Sequence, residues 1–217
     1  MARRHTFALR HMADGAAVRL RSAAARPLLA ALLALAGAML AGSPASAHIL
    51  ADAGGFGSGF EHPLTGADHF LAMFAVGIWG AQMGGRSVWT LPVTFPLIMA
   101  AAGLAGMSGL VLTHVETGIA LSILVLGLAI AFRLRIPEAL ALLVIAVFAV
   151  FHGYAHGVEL PLATDPADYA IGFVVATGLI HLIGIAVGLA LSRPMKGRLA
   201  QALGAGIAAV GVAYLVA

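Results

Sequence analysis

Residues 137–159 read PEALALLVIAVFAVFHGYAHGVE, and this stretch decides the fold. From Ala139 to Phe151 every residue is apolar, and the segment then closes on two histidines and a glutamate. At 1.5 Å per residue, about 20 residues of helix cover the roughly 30 Å of hydrocarbon in a bilayer. The rest of the chain has the same character. It is 61% apolar and 10% charged over 217 residues, with a mean hydropathy of +1.01. A soluble domain has roughly 45–50% apolar and about 25% charged residues, so lipid must solvate much of this surface.

Working outward, further apolar segments lie at 64–82, 89–112, 117–132, 169–191 and 199–216, which with 137–156 make six. A backbone in lipid has to satisfy its own hydrogen bonds, so these segments are helices. The 27 glycines fit helices that approach one another closely. Pro27–Gly42 is a shorter apolar run, preceded by six arginines and followed by the small-residue triplet Ala45-Ser46-Ala47. That order of basic, apolar and cleavage regions predicts a signal peptide over 1–47 and a membrane domain over 48–217. A glycine-rich stretch, Ala51–Phe60, is too polar and flexible to span.

With the mature N-terminus outside, the loops after the first, third and fifth spans are cytoplasmic. They hold Arg86, then Arg133 and Arg135, then Arg193, Lys196 and Arg198. These are all the basic residues after the signal peptide, as the positive-inside rule expects. The fold class is therefore an all-α integral membrane protein of the inner membrane. It has six transmembrane helices after a cleavable signal peptide, and both mature termini are periplasmic. The net charge of +3 comes from the leader, so no basic stripe is left for nucleic acid. The absence of cysteine excludes disulfides, thiolate metal sites and cysteine nucleophiles.

An ionisable group inside a span costs about 2.5–3.5 kcal/mol on insertion scales, so the intramembrane acids and histidines are functional candidates. His62, Asp68 and His69 lie at the outer start of the first span, with Pro63 suited to its first turn. His62 and His69 are close to two turns apart and share a face if His62 is already helical, and Asp68 is a ligand, the group that fixes the His69 tautomer, or the cap of a broken helix. At the outer end of the fourth span, His152, His156 and Glu159 share one helical face. The two clusters lie at similar depth on oppositely directed helices, which allows one site between them. His181, deeper in the fifth span with Thr177 one turn before it, is a relay ligand, a proton partner or an interhelical hydrogen bond. His114 belongs to a solvated loop, and His48 becomes a ligand through its free amine if cleavage follows Ala47. Imidazole and carboxylate without thiolate favour Ni²⁺, Co²⁺ or Zn²⁺ over Cu(I).

Two ungapped motifs resemble the signatures of the HupE/UreJ family of nickel permeases. One is HPLTGADH at 62–69, followed by Leu71-Ala72-Met73; the other is FHGYAHGVE at 151–159. Glu116–Ala120 and Thr177–Gly184 are similar as well. The resemblance implies secondary import of nickel, or cobalt, as a transported substrate rather than a bound cofactor. It also implies that His62, Asp68, His69, His152, His156 and Glu159 are the transport ligands. The expected partners are thus a divalent metal ion and the lipid bilayer.

Two rival readings use other features. A membrane metal sensor or metallochaperone would bind the same ion without moving it. A rhomboid-like intramembrane protease would use Ser108, in Gly106-Met107-Ser108-Gly109, with His181 as base.

Overall fold

The computed structural model describes residues 54–160, 165–192 and 197–217, all within one compact unit that runs from 45 to 217. The proposed signal peptide and His48 lie outside the described residues. Every regular element among those described is helical. In chain order they are α1 (Gly54–Thr65), α2 (Ala67–Met83), α3 (Ser87–Met107), α4 (Val115–Ala131), α5 (Glu138–Val158), α6 (Pro166–Ser192) and α7 (Arg198–Val216). Four of them, α3, α5, α6 and α7, are long and apolar enough to cross a membrane, and α4 is a shorter apolar helix. Large apolar side chains such as Leu97, Leu104, Leu143 and Ile183 are exposed on these helices, as lipid-facing residues are. The chain is a membrane protein.

The expected first span departs most from its sequence reading. Its helix is preceded by α1, built from the glycine-rich stretch, and the two are separated by an extended Gly66 (φ −78°, ψ 104°). Pro63 therefore sits near the end of α1 rather than in the first turn of the span. The second segment stops short at Met107 because Gly109 takes a left-handed backbone (φ 80°), which ends the helix although Leu110 and Val111 are apolar. Around these breaks the remaining helices start and stop within three residues of the expected bounds.

Helix α2 is the centre of the bundle. It packs against α1, α3, α4, α6 and α7, and its residues from Ala72 to Ala81 are all buried. Around it, α3 pairs with α5, α4 with α7, and α1 with α6. Glycines set the closeness of these pairs. A Cβ on Gly153 would collide with the Met99 carbonyl, and one on Gly157 with the Gly103 carbonyl, so α5 and α3 touch backbone to backbone. Without a hydrophobic drive between helices in lipid, such contact is what holds membrane helices together.

The end of the bundle that carries the arginines is tied by side-chain to main-chain bonds. Trp79 donates its indole N–H to the Leu134 carbonyl at 3.0 Å, and the Gln201 amide donates to Ala131 at 3.0 Å. The Thr90 hydroxyl donates to the Glu138 carboxylate at 2.7 Å. These bonds fix one end of α2, α3, α4, α5 and α7 and leave the opposite end for the histidines.

Replacing Gly153 by Val should force α5 away from α3 and cost about 1–3 kcal/mol, the usual range for overpacking. Gly178 has open space at its Cβ position, so Gly178→Ala should leave stability unchanged or slightly raised. Thermal unfolding of the detergent-purified variants checks both, and equal melting temperatures for the two would refute the packing argument.

Candidate metal centre

At the end where α2 begins and α5 finishes, four imidazoles from three helices meet. His62 comes from the last turn of α1, His69 from the first turn of α2, and His152 and His156 from the last two turns of α5. Ring centroids are 4.4 Å apart for His69 and His156, 4.7 Å for His69 and His152, and 4.7 Å for His62 and His156. Numbers rise inward along α1 and α2 and fall inward along α5. The two motifs thus run antiparallel, as their depths required.

The local geometry follows from the residues that flank each histidine. In α5 each histidine precedes a glycine. Gly153 and Gly157 press on α3, and one residue back, about 100° round the helix, His152 and His156 turn toward α2. In α2 the break at Gly66 leaves first-turn N–H groups without helical acceptors. Asp68 Oδ1 accepts the backbone N–H of His69 at 2.7 Å and sits 2.9 Å from ring Nδ1 of the same residue. A carboxylate there accepts a proton on Nδ1, which in the neutral ring leaves the lone pair on Nε2. That nitrogen is buried and has no hydrogen-bond partner among the described residues.

Behind His152 the same device appears with the opposite nitrogen. Ser122 Oγ, on α4, lies 2.6 Å from the Ile119 carbonyl and 2.8 Å from His152 Nε2. Two oxygens 2.6 Å apart need the hydroxyl proton between them, so the serine donates to Ile119 and accepts from Nε2–H. His152 then presents Nδ1, which is buried and unpartnered. Both nitrogens of His156 are also unpartnered. Each orphaned buried polar group costs about 1–3 kcal/mol, and several pointing into one site call for a bound ion or ordered water.

The arrangement has two levels. The outer one is His62, His156 and Glu159, each with a ligand atom within 4.8 Å of the others. Ligands of one ion at about 2.1 Å lie roughly 3–4 Å apart, so small side-chain rotations close this set around a cation. Glu159 caps α5, half exposed, with its carboxylate 3.7 Å from His62 Nε2. The inner level is His69 and His152, backed by Asp68 and Ser122. Phe173 and Tyr169 of α6 wall the outer level, at 4.2 Å from His156 and 6.1 Å from His62. Phe95 of α3 closes the inner one at 5.5 Å from His152.

Six expected residues are thus gathered: His62, Asp68, His69, His152, His156 and Glu159. His181 is deeper, with its ring 5.7 Å from Phe95. His114 is exposed on the loop before α4, in a left-handed backbone (φ 59°), and takes no part in the cluster's ring contacts. Ser108 is exposed and donates to the Ala105 carbonyl, whereas His181 is buried against Phe95. No described contact joins them as a nucleophile and its base. Sequence reasoning missed Ser122 and Phe95. The available signal for Ser122 was a hydroxyl inside an apolar span.

Comparison with known proteins agrees with the motifs. The family model described as HupE / UreJ protein matches residues 33–214. Protein HupE of Rhizobium leguminosarum bv. viciae is 43% identical over 176 residues, which cover 80% of this chain and 91% of that protein. No solved structure matches. The chain belongs to the HupE/UreJ family.

Ser122→Ala removes the acceptor that fixes the His152 tautomer. Divalent-cation affinity should fall about 10–100-fold, the usual loss when the group orienting a histidine ligand is removed. Ser122→Thr should keep most of it. Calorimetric titration of the purified protein with Ni²⁺ measures this, and full affinity in Ser122→Ala would rule out the orienting role.

Proposed function

We propose that this HupE/UreJ family member is a secondary transporter that imports nickel, or cobalt, across the inner membrane to supply nickel enzymes such as hydrogenase or urease. The observation that carries the reading is the convergence of His62, His69, His152 and His156 between the carboxylates Asp68 and Glu159, with buried unpartnered nitrogens on the last three histidines. Nitrogen and oxygen donors of this kind suit Ni²⁺ and Co²⁺. In the proposed arrangement residues 1–47 are a signal peptide, and 48–217 form six crossings with both ends periplasmic. Helices α2 and α4, each 17 residues long, supply the first and third crossings. At 1.5 Å per residue each spans about 26 Å, close to the hydrocarbon thickness.

The proposed path opens at the periplasmic end. Glu159 and His62 capture the ion near the surface, His156 shares it between levels, and His69 with His152 holds it inside. Asp68 orients His69 and supplies negative charge; His48 would add a ligand at the mouth. The sequence carries no ATP-binding loop, so flux is passive or coupled to another ion.

Radioactive nickel uptake by cells lacking their own importers tests the reading. His69→Ala and His152→Ala should each lower uptake at least about tenfold at matched membrane levels. Ser108→Ala should leave it unchanged. An intact protein that binds nickel and gives no uptake would be a sensor or metallochaperone instead.

Acid should weaken capture. Burial raises the Glu159 carboxyl above its ordinary value of 4.5. As pH falls, this group loses its charge before an ordinary glutamate would, and the outer level loses a ligand. Uptake by the intact protein should therefore decline on the acid side, while Glu159→Gln should be weaker at neutral pH and respond less to acid. Identical pH profiles for the two proteins would exclude Glu159 from capture.

A further inference from the structure

Helix α6 carries a stripe of four residues, each one turn below the last: Tyr169, Phe173, Thr177 and His181. Each step descends about 6 Å. The first two lie beside the outer level, Tyr169 against His62 and Phe173 against His156. On α5, which runs the other way, His152 is one turn below His156 and so at the level of Thr177. His181 then lies about one further turn, roughly 6 Å, below His152. Phe95 agrees with this placement, since its ring is 5.5 Å from His152 and 5.7 Å from His181.

Thr177 is 0% exposed and His181 2%. The threonine hydroxyl and both imidazole nitrogens have no hydrogen-bond partner among the described residues. A threonine in a helix usually satisfies its hydroxyl on the carbonyl one turn back. Three orphaned polar atoms on one face of an apolar helix need a guest with polar or cationic chemistry.

We infer that His181 and Thr177 form a second, inner station for the same divalent ion, reached from His152 past the ring of Phe95. The inference rests on the transport reading and extends it inward. Its ligands are one imidazole nitrogen and one hydroxyl oxygen, completed by water. This set is poorer than the outer one and holds the ion more weakly, as a site on a conduction path must. The alternative, that the pair is structural, predicts that no separate class of metal sites depends on it.

The test is nickel binding to the full chain in lipid nanodiscs, followed by equilibrium titration, alongside uptake in cells. The intact protein should show a tight class of sites and a second class at least about tenfold weaker. His181→Ala should lose the weak class, keep the tight one and lose uptake. Thr177→Val should weaken the second class, and Thr177→Ser should restore it. Loss of the tight class in His181→Ala, with Thr177→Val unaffected, would assign the pair a structural role. A weak class that survives His181→Ala, or full uptake by that variant, would also overturn the inference and leave the transporter proposal intact. Failure of the intact protein to take up nickel would sink the transporter proposal itself.

Discussion

The site depends on one interruption, the extended backbone at Gly66. A continuous helix from Gly54 to Met83 would use the His69 N–H in its own ladder and leave Asp68 free to turn elsewhere. The break removes those acceptors, and Asp68 takes over as both cap and orienting group, with one oxygen serving the backbone N–H and the ring of His69. The fit is close: a Cβ on Gly66 would lie 3.2 Å from Asp68 Oδ1 and 3.5 Å from His69 Nδ1. The same break lets α1 lean on α6 and bring His62 over His156. Broken helices at membrane depth are tolerated where they line a polar site.

The second motif solves a complementary problem. Its histidines have to reach α2 while their helix stays anchored to α3. Alternating histidine and glycine at 152–153 and 156–157 assigns adjacent sectors of one helix to the two tasks. The glycines bring the α5 backbone onto Met99 and Gly103, and the imidazoles project past that contact. Ser122 and Asp68 then fix which nitrogen faces inward. Two histidines that stand ring to ring present opposite atoms, His69 through Nε2 and His152 through Nδ1.

Much of this was legible because ionisable groups in apolar runs are costly and therefore conspicuous. His62, His69, His152, His156 and Glu159 could be picked from the sequence on that ground, and spacing placed the two groups at a common depth. Helix α1 was not legible, since a stretch dense in glycine has low helix propensity and gains its order from close packing on α6. There Gly59 meets the Tyr169 carbonyl and Gly172 meets the Phe56 carbonyl. Ser122 was missed for another reason. A serine in a membrane helix ordinarily bonds back to its own backbone, and only the fold shows that His152 lies on its other side. The early end of α3 was hidden because hydropathy continues through Leu110 and Val111 while the backbone turns at Gly109.

Charge accounting explains why the two levels and the deeper pair differ. With neutral imidazoles, Asp68 and Glu159 bring two negative charges to the cluster, which balance one divalent cation in a medium where an unpaired charge is expensive. On α6 the only acid is Asp168, thirteen residues and roughly 20 Å from His181. An ion at the inferred inner station would keep ligands but leave those counter-charges behind. Under the proposed transport reading, the cluster near the surface would serve capture and the deeper pair release. The difference follows from where two carboxylates end along the bundle, without any moving part.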